Sequence, residues 1–407
     1  MATKKPLTGI RMLDLTHMLS GPYGGMILAD LGCETIKVEP PIKGEGTRRL
    51  LENDPDYSIN GTGAYFYTLN RNKKSVCIDL KNIKGLEVFY DLVKQSDIVL
   101  NNFSAGVTKK LKIDYSELKK INPRIITCTV SGFGEDGPDY KRPAFDQISQ
   151  ALGGGMSITG TNRNEPMRAG IPIGDLGGGM FAVMGIQAAL IAREKTGFGQ
   201  HVDISMLDCQ ISLLNYMATM HTMSSKIPEP IGNSHFVHMP YNTFLTADYP
   251  IVIAAVGDQF WPRLLKIFTN KELTDPKYEK APARQKDKAK LEGILQDELI
   301  KHNSDHWLKL LETEKIPCAR VNNLEQAVND EQILFRNMMV DLEHPNGGST
   351  KVPGNPIKLS EDNEESFSSP PLLGEHSKEI FQTALGYDDK KIENLINDGA
   401  IGVNQNE

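Results

Sequence analysis

The stretch Gly9-Ile-Arg-Met-Leu-Asp-Leu-Thr-His-Met-Leu-Ser-Gly-Pro-Tyr-Gly-Gly-Met-Ile-Leu-Ala-Asp-Leu-Gly-Cys-Glu-Thr-Ile-Lys-Val-Glu39 sets the fold class. Residues 9–15 read as a strand, Ser20-Gly21-Pro22 opens a helix running to residue 31, and residues 34–39 read as the next strand. Such a βαβ unit has parallel strands and a right-handed crossover. The alternation continues through a strand at 75–79, a helix at 84–93 and strands at 97–100 and 124–130. The expectation is an α/β chain with a Rossmann-like large domain on a parallel sheet. Ligands gather at the carboxyl ends of such strands. The loops that begin at Thr16, Glu39, Asn101 and Ser131 are therefore the candidate site.

The 407 residues exceed one typical domain, and the texture changes along the chain. The middle carries Gly153-Gly-Gly155 and Gly174-Asp175-Leu-Gly-Gly-Gly179, then a core helix at 179–193, a strand at 200–204 and a Met-rich helix at 206–224. Met206, Met217, Met220 and Met223 read as packing, because no His or Cys stands at ligand spacing beside them. After Ile227-Pro-Glu-Pro230 come strands at 242–246 and 251–255 and charged helices at 287–300 and 305–314. This gives a large domain at 1–225, a smaller α+β domain at 226–325, and a segment at 326–407 returning to the first. That last segment holds strands at 338–342 and 349–352, an acidic loop at 361–365 and a helix from His376.

Forty-five Lys and Arg against 52 Asp and Glu leave a net charge of −7, which argues against nucleic acid as a partner. Residues 180–192 are too short and too glycine-broken to span a bilayer, so no membrane partner is expected. The N-terminal residues lack the apolar run of a signal peptide, which points to the cytoplasm. Cys33, Cys77, Cys128, Cys209 and Cys318 are scattered, with no CxxC or Cys/His cluster, so neither a metal nor a disulfide framework is expected.

Hydrolase, Walker and zinc-protease motifs are missing, and Gly21-Pro-Tyr-Gly24-Gly25 has the wrong spacing for a dinucleotide loop. Gly174-Asp175 with the three glycines after Leu176 is the most informative segment. An acidic residue leading into a helix serves as an N-cap worth about 1 kcal/mol. A cap does not require the glycines, each of which weakens a helix by up to about 1 kcal/mol. Close helix packing and room for a ligand beside a carboxylate account for them equally well. At a helix start Asp175 stays ionised. Desolvated and held in line, it can attack an activated acyl carbon, with the Gly177 and Gly178 amides near the developing oxyanion. A second set of groups gathers at strand ends: His17 and Ser20, the Asn70-Arg-Asn-Lys-Lys74 run, Asp79 and Lys81, Asn102 and Phe103, and then Lys109-Lys110. Together they suit a phosphate-bearing ligand; singly, each lysine reads as a solvated surface charge.

Several segments in order resemble the class III CoA-transferases, which include formyl-CoA transferase, the carnitine CoA-transferases and the α-methylacyl-CoA racemases. They are Leu13-Asp-Leu-Thr-His-Met-Leu-Ser-Gly-Pro22, Asn70-Arg-Asn-Lys-Lys-Ser75, Asn102-Phe103, Ser131-Gly-Phe-Gly-Glu-Asp-Gly-Pro138, Gly174-Asp175, Lys195-Thr-Gly-Phe-Gly-Gln200 and Pro371-Leu-Leu-Gly-Glu-His376. The resemblance implies an interlocked homodimer, with acyl-CoA and a small carboxylate as substrates and no permanently bound cofactor. It makes Asp175 the catalytic residue, working through aspartyl anhydride and aspartyl-CoA thioester intermediates. It assigns CoA contacts to His17, Leu19, Ser20, Ile78, Asp79, Leu80, Lys81, Asn102, Phe103, Lys110, Phe145 and Met206. Where formyl-CoA transferase has basic residues, this chain has Pro40 and Pro143, and Lys43 or Arg48 is the candidate substitute at the first. The racemases carry a histidine base where Phe145 stands, and phenylalanine accepts no proton, so transfer is favoured over racemisation. The glycine loop of formyl-CoA transferase is replaced by Asn233-Ser-His-Phe-Val-His-Met-Pro-Tyr241, which argues against formyl-CoA and oxalate and makes His235 and His238 candidates for the acyl pocket.

Overall fold

The computed structural model describes residues 5–361 and 365–404; three residues of the acidic 361–365 loop lie outside them. By contact the chain forms two compact units. Residues up to Met156, Arg168–Lys226 and the chain from Phe335 onward make the first; Ser157–Met167 and Ile227–Leu334 make the second. The second unit thus runs past the expected limit of 325 and takes in an earlier segment. That segment is tied by Gly232 N donating to Gly160 O at 2.8 Å and by an Arg163–Glu229 ion pair at 3.1 Å. No local periodicity announces such ties.

In the first unit, β1 (Arg11–Asp14), β2 (Glu34–Glu39), β3 (Lys73–Ile78), β4 (Ile98–Asn101), β5 (Ile126–Ser131) and β6 (His201–Ser205) pair in parallel, in the order β3-β2-β1-β4-β5-β6. The sheet is not wholly parallel. A short strand at Ile401–Gly402 adds antiparallel to β3, opposite Ile78 and Cys77. Two residues are too few for sequence periodicity to mark.

Because side chains alternate across a strand, the sheet feeds two cores. Leu13, Ile36, Val76 and Val99 face one, with α3 (Ile83–Lys94) and the returning helices Ser377–Thr383 and Asp389–Asn397. Met12, Ile98, Leu100, Ile126 and Cys128 face the other, covered by α1 (Ser20–Asp30) and α5 (Ile173–Thr196). Helices α2 (Ala64–Leu69) and α4 (Asp146–Leu152) lie between these in the chain. The Met-rich segment is two helices, Met206–Leu214 and Tyr216–Ser224, broken where Asn215 takes φ +48°.

Helix α5 has 24 residues, more than the expected 179–193, and by length and apolarity alone could cross a membrane. Its glycines show what it packs on instead. A Cβ on Gly179 would lie 2.6 Å from Ser20 O and 3.2 Å from Gly24 N, and one on Gly178 would lie 2.5 Å from Ser20 Oγ. The glycine run lets α1 and α5 touch backbone to backbone.

The second unit holds an antiparallel sheet of Cys318–Arg320, Ile251–Ala254 and Tyr241–Phe244. Ile251, Ile253 and Phe244 pack with Leu291, Leu295 and Leu299 of Lys288–Leu299 and with Trp307 and Leu311 of Ser304–Thr313.

Replacing Gly179 by alanine should destabilise the protein by about 1–3 kcal/mol, since the Cβ meets backbone that cannot rotate away. Helix propensity alone would favour alanine by up to about 1 kcal/mol. The urea midpoint decides the sign, and a midpoint above wild type would show that the two helices are not in close contact there.

Candidate active site

Strands β2 and β4 flank β1, so chain order reverses between β1 and β4, the place where open α/β sheets bind ligands. A cleft of about 540 Å³ lies there. Residues 17–20 after β1, 102–105 after β4 and Ser131 and Gly132 at the end of β5 form its walls, so three of the four expected loops contribute. The fourth does not. Glu39 is held by both Arg48 Nε (2.6 Å) and Nη2 (2.7 Å) and by Ser75 Oγ (2.7 Å). Burial alone would raise its carboxyl pKa, but Arg48, with Lys37 and Ser75, holds it below the usual range. Arg48 also lies 4.0 Å from the Phe66 ring centre and is therefore committed.

The loop after β1 is fixed from beneath by buried charge. Asp14 Oδ1 accepts from Thr16 N at 2.9 Å, and its Oδ2 accepts from Lys73 Nζ at 2.8 Å. Lys73 also donates to Pro22 O and Asn70 Oδ1, and Lys37 Nζ donates to Thr16 O at 2.8 Å. Arg71 forks onto Asp30 at 2.7 and 3.1 Å. Within the Asn70–Lys74 run, Arg71 and Lys73 are thus buried and paired inside the fold, while Lys74 stays a partly exposed surface charge. Lys73 and Arg71 are internal partners, and Lys74 pairs with Glu379 at 3.0 Å. Above this network His17 N donates to Asn102 Oδ1 (2.9 Å) and Asn102 Nδ2 returns a bond to His17 O (2.7 Å). The His17 and Phe103 rings lie 5.8 Å apart, and burial, then the Lys37 charge, push the imidazole pKa below its usual value. Met18, the next residue after His17, takes φ +64°, a conformation a non-glycine residue keeps only when its surroundings hold it.

Asp175 lines the cleft but does not cap its own helix. Asp146, at the start of α4, does so instead. Its Oδ1 accepts from Gly174 N at 2.8 Å and Asp175 N at 3.4 Å, and its Oδ2 accepts from Gln150 Nε2 at 2.8 Å. Among the described residues no hydrogen bond reaches the Asp175 carboxylate. Burial, and then the neighbouring Asp146 charge, raise its pKa to about 6. The helix start therefore does not lower this carboxyl as the sequence suggested, because its leading N–H groups are spent on Asp146. Tyr65, also on the cleft wall, has its phenol pKa raised by burial and by the same two carboxylates.

The cleft brings together Asp175, His17, Leu19, Ser20, Asn102, Phe103, Phe145 and Met206. Ser20 Oγ is buried at its wall without a hydrogen-bond partner among the described residues. Other expected residues lie elsewhere. Ile78 is 1 % exposed in the core of β3, and Asp79, Leu80, Lys81 and Lys110 do not line the cleft. Gly177 and Gly178 are buried inside α5 against Leu213 and Ser20, with amides deep enough in the helix to be bonded there, so they supply no oxyanion contact. His235 and His238 belong to the second unit, where His235 Nδ1 accepts from Val237 N and His238 N and its ring stacks on Phe236 and His238.

The sequence reading passed over Tyr65, Tyr140, Lys141, Arg142, Asp146 and Arg168, all on the cleft wall. Lys141-Arg142 just before Pro143 and an aspartate opening α4 were readable signals; Tyr65 offered none. No cluster of three or more His, Cys, Asp or Glu side chains suited to a metal occurs among the described residues.

Comparison with known proteins agrees with this architecture. The family model described as CoA-transferase family III matches residues 7–377. A succinyl-CoA:glutarate CoA-transferase from Mus musculus is 34% identical over 98% of this chain and 90% of its own length. An acetyl-CoA:oxalate CoA-transferase from Acetobacter aceti is 37% identical over 88% of this chain and 90% of its own. Among solved structures, a CAIB/BAIF family protein from Brucella suis superposes with a TM-score of 0.83 at 32% identity, covering 94% of this chain and all of that one. A chain that sets an uncapped aspartate at the switch point of such a sheet, and matches these proteins along nearly its whole length, belongs to CoA-transferase family III.

Proposed function

We propose that this protein moves CoA from an acyl-CoA to a free dicarboxylic acid, with Asp175 carrying first the acyl group and then CoA. The Asp175 carboxylate attacks the donor thioester carbonyl and the C–S bond breaks, leaving an aspartyl–acyl anhydride and CoA thiolate. The thiolate attacks the aspartyl carbonyl, the donor acid leaves as carboxylate, and an aspartyl-CoA thioester remains. The acceptor carboxylate displaces the thiolate to form a second anhydride. Attack of the thiolate on the acceptor carbonyl releases acyl-CoA and restores Asp175. No net proton or electron is consumed.

The observation that carries this reading is the Asp175 carboxylate itself, on the cleft wall, relieved of capping duty and with its pKa raised to about 6. It is largely ionised at neutral pH yet partly desolvated, which is what a carboxylate nucleophile needs. For the oxyanions the reading uses the first turn of α1, whose leading N–H groups have no helical partner and whose Ser20 Oγ stands unpaired. His17, Leu19, Asn102, Phe103 and Met206 are assigned to the thiol end of CoA. Phe145 on the wall, 66 % exposed, cannot act as the base of an α-proton exchange, which favours transfer over racemisation. Relatives named for glutarate, oxalate and mesaconate support a dicarboxylate as acceptor.

Mixing the protein with acyl-CoA should yield a CoA adduct in the intact mass of the wild type and none with Asp175→Ala, which should also lose transfer by at least about a thousandfold. Full transfer by the alanine variant would refute the covalent scheme.

Two pH effects follow from the raised carboxyl. The attacking form is the carboxylate, so transfer should fall as pH drops through about 6. Asp146→Asn, which removes the neighbouring charge, should move that limb to lower pH. For stability the sign is opposite to that of a salt-bridged carboxylate. The folded state holds the Asp175 proton more tightly than the unfolded chain, so stability is lost as pH rises from 3.8 through about 6. Asp175→Asn should therefore be more stable than wild type at pH 7, by about 1–2 kcal/mol, with the difference vanishing in acid. Denaturant midpoints at both pH values measure this, and equal midpoints at pH 7 would show that the carboxylate is not strained.

A further inference from the structure

We infer that Arg168 is the residue that selects a dicarboxylic acid, by forking onto the acceptor carboxylate that does not react. This rests on the transferase reading above and adds to it the group that recognises the far end of the acid.

Three cations line the cleft: Lys141, Arg142 and Arg168. Arg142 is engaged by Asp139 at 3.3 Å and lies 5.4 Å from the Phe133 ring centre, and Lys141 lies over the Tyr140 ring at 5.1 Å. Lys141 and Arg168 both lack an Asp or Glu partner among the described residues, and of the two only Arg168, an exposed side chain, carries a planar guanidinium fork; its hydrogen bond there runs from Nη1 to the carbonyl of Ala169 at 3.1 Å. The same cleft contains Asp175 and Asp146, so an arginine left out of an ion pair beside two carboxylates is poised for a guest anion. A guanidinium matches a carboxylate in shape, with two parallel N–H···O bonds.

The backbone that carries it is held in register with the reacting group. Ala169 N donates to Gln150 Oε1 at 2.9 Å, and Nε2 of the same amide donates to Asp146 Oδ2 at 2.8 Å. Asp146 in turn takes the N–H groups of Gly174 and Asp175. One side-chain amide therefore spaces the segment bearing Arg168 from the helix start bearing Asp175. An acid with carboxylates at both ends could bind Arg168 with one and attack the Asp175 thioester with the other. A monocarboxylic acid leaves the guanidinium without its partner.

The test uses succinyl-CoA as donor and compares glutarate with pentanoate, five-carbon acids that differ in the second carboxylate. Arg168→Gln should raise the KM for glutarate at least about 30-fold with kcat little changed, and should collapse the preference for glutarate over pentanoate. Arg168→Lys, which keeps charge but not the fork, should fall between. The dissociation constant for free CoA should be unchanged in both variants. An unchanged glutarate KM, or a loss of CoA affinity matching the loss of glutarate, would overturn the assignment; the second result would hand the arginine to a CoA phosphate. In either case the wild type still transfers CoA and still forms the Asp175 adduct. A wild type that forms no adduct and no glutaryl-CoA would overturn the transferase reading and this assignment together.

Discussion

The site depends on one carboxylate capping a helix that another carboxylate opens. A helix N-terminus offers unbonded N–H groups and the positive end of a dipole, and the acidic residue in its first turn ordinarily takes both. Here Asp146, arriving from a different helix, takes them through a single oxygen, while Gln150 holds its other oxygen. Asp175 is left with burial and a negative neighbour, both of which push its carboxyl pKa up. The same pair of contacts fixes the orientation of α5 and sets the basicity of the group at its start. Local geometry and chemistry are thus one constraint.

Two further devices keep the opposite wall in place. Backbone contact between α1 and α5 at Gly179 and Gly24 sets Ser20 beside the start of α5. Beneath the loop that precedes Ser20, Asp14, Lys73, Lys37 and Asn70 form a buried polar network in which the carboxylate and both ammonium groups have partners. Burying an ion pair seldom adds stability over an apolar pair of the same volume, while removing one partner leaves a charge uncompensated at a loss of about 3–5 kcal/mol. What such a network supplies is a single position for Thr16 and His17, on which the strained backbone of Met18 depends.

The parallel sheet was legible because its strands are short apolar runs separated by helical runs, and three of the four strand-end loops named from sequence contribute to the cleft. What stayed hidden is long-range. Arg71 and Lys73 read as ligand contacts or surface charge because their acidic partners, Asp30 and Asp14, lie 41 and 59 residues earlier in the chain. The glycines after Leu176 were equally compatible with packing and with a ligand, and only the position of α1 decides for packing. Asp175, singled out from sequence, lines the cleft, but the upward shift of its pKa was not readable, since it turns on a cap 29 residues upstream. The reach of the second unit back to Ser157–Met167 likewise rests on pairings that no spacing rule encodes.

In the proposed covalent scheme a raised carboxyl is favoured for a reason that is thermodynamic as well as kinetic. Moving an acyl group from a thioester to a carboxylate forms an anhydride, an uphill step that becomes less so as the receiving oxygen becomes more basic. A carboxylate with its pKa raised to about 6 is a better acceptor than an acid of ordinary pKa, yet still carries its charge at neutral pH. Raising it much further would protonate it and remove the nucleophile. Burial and the Asp146 charge set that balance through one arrangement of side chains.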